Sequence, residues 1–223
     1  EEEEWPLDAA VGESALVRAS LARTTQRPTH LFPGLRATPF WPRSAFTDVI
    51  GALEGAVSSI RHEVCSLLAG LEGTDEDSEP TMAWEPQGEG LHAGVWQKFV
   101  LWAAGRRVEA GCRAAPRTTE VVEKLAGVML EAPGRVAFSL MLPGTRLKPH
   151  CGPTNHRLRL HLPLLVPRGV QCGLVVAGER RDWVEGECLV FDDSFEHEAF
   201  VEELCEPRSV VDSARVVLIV DLW

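Results

Sequence analysis

Two histidines and two arginines stand where this sequence could do chemistry. His150 lies in Pro149-His150-Cys151-Gly152-Pro153, just ahead of a strand-like run, and His197 follows another, in Phe191-Asp192-Asp193-Ser194-Phe195-Glu196-His197. Imidazoles at the mouths of two different strands suit a mononuclear metal site, because neutral imidazole is the commonest nitrogen ligand of Fe(II). Either histidine alone is more often a surface or hydrogen-bonded residue than a ligand. Arg157, Arg159 and His161 alternate with Leu158, Leu160 and Leu162, so the polar three share one face of a strand and the leucines the other. That polar face meets either solvent or a polar cavity. Ser139, between Phe138 and Leu140, and Arg215, which opens the run Val216 to Val220, are polar residues set into apolar strands. An arginine in a strand covered on both sides is costly without an anion beside it, so together these residues point to a ligand of carboxylate size.

The elements that must position them are legible in the second half of the chain. Trp96 to Trp102, Val136 to Leu142, Leu158 to Val166, Gly173 to Ala177, Glu187 to Phe191 and Ala214 to Leu222 read as strands parted by Pro- and Gly-containing turns. Short strands at close spacing predict an all-β sandwich or barrel, the jelly roll among them. Ahead of them, Phe46, Val49, Ile50, Leu53, Val57, Ile60, Val64 and Leu67 recur at steps of three and four, which predicts one amphipathic helix from about Ser44 to Leu71. A second helix is expected at Thr118 to Leu125. Residues 1–45 carry Pro6, Pro28, Pro33, Pro39 and Pro42 and read as an irregular lead-in with one helix near Glu13 to Leu21. The acidic stretch Glu72 to Pro80 reads as a solvated loop. One domain is expected over 46–223.

Composition narrows the function classes. Across 223 residues, 22 Lys and Arg face 33 Asp and Glu for a net charge of −11, the wrong sign for a protein that grips nucleic acid through its overall field. Six cysteines without a C-x-x-C pair leave no readable zinc ribbon or thioredoxin-type site. No apolar run approaches the roughly 18 residues of a membrane span. The opening on Glu1 suggests a piece of a longer chain, whose preceding part could carry an anchor.

Longer motifs add a family. HCGPTNHRLRLH at 150–161, FDDSFEHE at 191–198 and RVVLIVDLW at 215–223, with WQKFVLWAAG at 96–105 and FSLMLPGTRLKPH at 138–150, resemble the aspartyl/asparaginyl β-hydroxylase family, nearest its aspartate β-hydroxylase domain-containing branch, over about residues 84–223. The resemblance implies a mainly β fold, a double-stranded β-helix of the jelly-roll, cupin-like kind with N-terminal flanking helices, holding Fe(II) and 2-oxoglutarate. His150 and His197 match the iron ligands. Trp96, Ser139, Arg159, His161 and Arg215 match the residues that bind 2-oxoglutarate. Arg208 lies nearer His197 in sequence but sits in the Pro207 turn, whereas Arg215 opens a strand. The resemblance further implies O2 as co-reactant, a protein or peptide substrate, and a type II signal-anchored membrane protein with this domain in the secretory lumen.

Departures from the pattern bear on substrate and turnover. Non-haem iron sites commonly add a carboxylate two residues after the first histidine; here that residue is Gly152, as in the family's active hydroxylase, which is consistent with two histidines plus water. Asp193 is placed to hydrogen-bond such a water. Gln87 to Gly94 is glycine-rich and poor in the charged groups that bind substrate in that hydroxylase, and a family cysteine pair is broken, with Cys112 present and threonine near position 119. Two readings therefore stay open: a 2-oxoglutarate-dependent dioxygenase acting on a protein side chain, and a catalytically inactive metal- or 2-oxoglutarate-binding protein that keeps the fold.

Overall fold

A computed structural model of the chain describes residues 26–72, 84–205 and 208–223. The helix expected near Glu13 to Leu21 and nearly all of the acidic loop lie outside them. Two sheets face one another. The major sheet has strand order β1-β11-β8-β13-β6-β4-β2, where β1 is Phe40–Trp41, β2 Glu85–Pro86, β4 Trp96–Ala103, β6 Val136–Met141, β8 Leu158–Leu165, β11 Leu189–Phe191 and β13 Arg215–Leu222, and β5 (Arg106–Arg107) adds to β4. The minor sheet runs β10-β9-β12-β7-β3, with β3 Leu91–Ala93, β7 Thr145–Leu147, β9 Cys172–Val176, β10 Glu179–Asp182 and β12 His197–Val201. This is the double-stranded β-helix that the motifs imply. Of the lead-in, β1 pairs with β11, and isolated bridges join Gln26 to Phe195 and His30 to Thr154.

The major sheet is covered on both faces, which is why β13 reads as a continuous apolar run. Val216, Leu218, Val220 and Leu222 face the helices, packed with Leu158, Leu160, Leu162 and Leu164 of β8 and with Leu53, Ile60, Val64 and Leu68. Val217 and Ile219 face the minor sheet, clustered with its Leu174, Val176 and Val201. Between these layers every second residue of β8 and β13 looks into the space between the sheets, and there the polar residues gather.

The expected single helix is two, α1 (Thr47–Gly55) and α2 (Val57–Glu72). Gly55 closes the first, Ala56 turns at φ −97° and ψ 1°, and its carbonyl accepts from Ser59 and Ile60 to begin the second. A one-residue break leaves the three-and-four spacing intact, so periodicity does not register it. Two further helices follow β5, α3 (Glu109–Ala114) and α4 (Pro116–Glu123), and a short α5 (Val210–Ser213) leads into β13. Glu63 of α2 ties α4 down, accepting from the Arg117 and Thr118 N–H groups at 2.6 and 3.0 Å, a cap lent by another helix to orphan donors. In the broken cysteine pair, the Thr119 hydroxyl donates to the Ala115 carbonyl at 2.9 Å, and the Cys112 thiol donates to that of Leu101 at 3.4 Å.

Candidate active site

His150 and His197 meet through their main chains before their side chains. Each N–H donates to the other's carbonyl, at 3.0 and 2.8 Å, an isolated antiparallel bridge that extends β12. The imidazole centroids are 4.2 Å apart. In each ring Nδ1 lies on a carbonyl oxygen two residues upstream, Lys148 at 2.8 Å and Phe195 at 2.9 Å. Those carbonyls fix the tautomer, with the proton on Nδ1, and leave the Nε2 lone pair free, as in metal-ligating histidines. Burial, and next the His150 ring, push the His197 pKa down to about 4, so it is a neutral imidazole at ordinary pH. Among the described residues no third His, Cys, Asp or Glu joins them.

The histidines line one cavity of about 90 Å3, together with Trp96, Ser139, Arg159, His161 and Arg215; one water needs roughly 10–15 Å3. All seven residues expected to hold metal or cosubstrate thus converge. Trp96 and Ser139, from β4 and β6, are joined by a 3.1 Å indole-to-hydroxyl bond. Arg215 is 2% exposed, donates one bond at 3.1 Å to the Ser139 carbonyl, and leaves Nε without a partner. With burial unrelieved by any carboxylate, its pKa falls to about 9. A guanidinium buried in this condition is costly, and an anion beside it would relieve the cost. Arg208 points elsewhere, donating to the Arg168 carbonyl at 2.9 Å.

Three neighbours were not read from the sequence. Trp183 carries Arg215 on its ring face at 4.5 Å and donates its indole N–H to His161 Nδ1 at 3.3 Å. His161 thereby keeps its proton on Nε2, a donor toward the cavity, and burial with the Arg215 and Arg159 charges holds it neutral. Lys98 of β4, opposite Ser139 in register, also lines the cavity, its ammonium 4.3 Å over the Trp96 ring. The third is Asp221.

Asp193 stands behind the wall, fully buried. Its Oδ2 takes Arg157 at 2.8 Å and Arg159 at 3.1 Å; Asp221 takes the same two, at 2.8 and 2.9 Å. Burial alone would raise the Asp193 pKa, but the Arg159 and Arg157 charges overcome it and keep the carboxylate ionised. Arg159 is therefore already held by two carboxylates, whereas Arg215 is held by none among the described residues. A Cβ on Gly152 would lie 2.5 Å from Asp193 Cγ and Oδ2 and 2.6 Å from Oδ1. Asp193 thus fills the space next to the position where other two-histidine sites carry their carboxylate.

Residues 54–223 match the family model for aspartyl/asparaginyl beta-hydroxylase. The chain belongs to that family. It is 36% identical to the aspartyl/asparaginyl beta-hydroxylase of Mus musculus, over 92% of this chain and 26% of the mouse protein. To the human aspartate beta-hydroxylase domain-containing protein 1 it is 39% identical, over 89% of this chain and 48% of that protein. It thus spans a quarter to a half of the length of these hydroxylase-family relatives. A solved oxidoreductase of the 2OG-Fe(II) oxygenase family from Burkholderia pseudomallei overlaps 84% of this chain and 94% of its own, at 13% identity and a TM-score of 0.46; the fold assignment rests on the strand order.

Proposed function

We propose that this domain is an Fe(II)- and 2-oxoglutarate-dependent dioxygenase that hydroxylates a side chain of a protein or peptide. The observation that carries the reading is Arg215, a buried guanidinium without an anion, sharing one cavity with two imidazoles whose Nε2 atoms are free. These residues fit the group the family implies. His150 and His197 would hold Fe(II); Arg215, with Ser139, Trp96 and the Nε2–H of His161, would hold 2-oxoglutarate. Bound Fe(II) with 2-oxoglutarate and O2 supplies an oxidative decarboxylation that gives succinate and CO2 and places one oxygen in a substrate C–H bond. The chain's own part is orientation and exclusion of water: Trp183 stacks on Arg215 and sets the His161 tautomer, and the two sheets close the cavity floor. Asp193 is assigned to hydrogen-bond a water at the metal through Oδ1, the oxygen that has no partner among the described residues. The family relation supports an anchored protein with this domain in the secretory lumen; no described helix is long and apolar enough to cross a membrane.

Anaerobic titration of the Fe(II)-loaded domain with 2-oxoglutarate tests the reading, followed by succinate release in air. Binding and slow succinate formation without added peptide are expected; binding with no succinate would leave the non-catalytic alternative. Arg215→Lys keeps the charge and loses the planar fork, so 2-oxoglutarate should bind roughly 10- to 100-fold more weakly. An unchanged dissociation constant would remove Arg215 from that role.

Lys98 gives the same titration a pH signature. Burial, and next the Arg135 and Arg159 charges, lower its amine to about 7, Arg157 adding to them and Asp221 opposing; Glu85 faces it across the strand pair. It is charged at pH 6 and largely neutral at pH 8, and a bound dianion favours the charged form. The affinity for 2-oxoglutarate should therefore fall between pH 6 and 8, by at most roughly tenfold, the factor for one pKa unit. Lys98→Met should flatten that slope; a slope equal to the wild type's would assign it to another group.

A further inference from the structure

We propose that Asp221 is a positioning residue of this site: it holds Arg157 and Arg159 so that the Asp193 carboxylate is pinned through Oδ2 and presents Oδ1 unpaired beside Gly152. The inference rests on the metal reading above and assigns a part to a residue on the opposite side of the ion cluster from the histidines.

The asymmetry of the cluster carries it. Asp221 uses both oxygens, Oδ2 for Arg157 at 2.8 Å and Oδ1 for Arg159 at 2.9 Å. Asp193 receives both guanidiniums on one oxygen, Oδ2, at 2.8 and 3.1 Å, and its Oδ1 is buried without a donor. Neutralisation alone does not produce that arrangement, because two carboxylates and two guanidiniums can share all four oxygens. A buried acceptor left bare is costly unless a donor arrives. A Cβ on Gly152 would lie 2.6 Å from the bare oxygen, so Oδ1 is next to the position that commonly carries a third metal ligand.

The direction of control follows from the backbones. Asp221 is in the central strand, directly opposite Arg159 in register. Its N–H donates to the Arg135 carbonyl at 3.0 Å and its carbonyl accepts from Met129 at 2.8 Å. Asp193 sits in the turn between β11 and β12. The strand residue is the fixed member, the arginines are the struts, and the Asp193 carboxylate is what they set. Partners that orient the surroundings of a metal typically cost 10- to 100-fold in metal affinity when removed, and this one would act through Asp193 alone.

A double-mutant cycle on Co(II) affinity, read from the visible absorption of the metal, tests this without catalysis. Asp221→Asn and Asp193→Asn should each weaken Co(II) binding roughly tenfold or more. The double variant should bind no more weakly than Asp193→Asn, a coupling that a purely structural role would not produce. Arg157→Gln serves where Asp221→Asn does not fold, with the same loss and the same non-additivity expected. Undiminished affinity in the single variants at position 221 or 157, or losses that simply add, would overturn the proposal while leaving the metal site standing. No Co(II) binding by the wild type would overturn both.

Discussion

His150→Ala and His197→Ala should each leave a folded protein that no longer retains Fe(II). The expectation of a folded protein rests on the main-chain bridge, whose 3.0 and 2.8 Å bonds do not involve the rings. The loss of metal follows from the ligand count. With two imidazoles as the proposed protein ligands, removing one leaves a single nitrogen in competition with water, a larger loss than the roughly 10- to 100-fold that a supporting partner costs. Iron stoichiometry after desalting, with circular dichroism on the same samples, checks both halves. Stoichiometric iron in either variant would show that the ion sits elsewhere, and succinate formation should fall with the metal.

Gly152 is the second position with a large expected effect, and the sign is opposite to what motif reasoning suggests. Introducing the customary third ligand, Gly152→Asp, should not build a three-ligand site. The new Cβ would enter the Asp193 carboxylate at 2.5 Å. Asp193 cannot yield, being fully buried and held by two guanidiniums. Gly152→Ala alone is therefore expected to cost about 3 kcal/mol, overpacking together with disturbance of a buried ion pair, or roughly 6–12 °C in Tm for a chain of this size. Iron affinity should drop with it. An alanine variant that melts and binds iron like the wild type would show that the Asp193 turn is softer than its contacts indicate.

Much of this site is legible in the sequence where period two applies. The alternation from Arg157 to Leu162 assigns Arg159 and His161 to one face, and the structure puts that face between the sheets rather than in solvent. The same rule puts Lys98 on the face of Trp96 and Asp221 on the face of Arg215, so both signals were present in the strands that carry the motifs. Trp183 had none, because it follows β10 in an irregular segment where no periodicity operates. β10 itself, Glu-Arg-Arg-Asp and exposed throughout, is a strand by virtue of its pairing with β9 and not by its residues' preferences. β12 begins on His197-Glu198 and reads as the end of an acidic turn; its apolar part is only Ala199, Phe200 and Val201. The ion cluster pairs residues 34 to 64 positions apart in the chain, and nothing in local spacing announces such pairings. The glycines of Gln87 to Gly94 are in part architectural: Gly94 has φ +84° and lies against Thr145, where a Cβ would come within 2.5 Å of the backbone.

The central position of β13 also has a consequence for biogenesis. Its neighbours in the sheet, β6 and β8, are synthesised first, and β13 inserts between them. Until residue 215 has left the ribosome, both carry a bare edge, and a nascent chain with two open edges invites pairing with other chains. The strand that closes the gap is the one that delivers Arg215 and Asp221, so the fold's last structural joint and the proposed anion receptor arrive together. A chain stalled or cut before that point would carry both histidines and neither of these groups, and should be a substrate for chaperones rather than for iron.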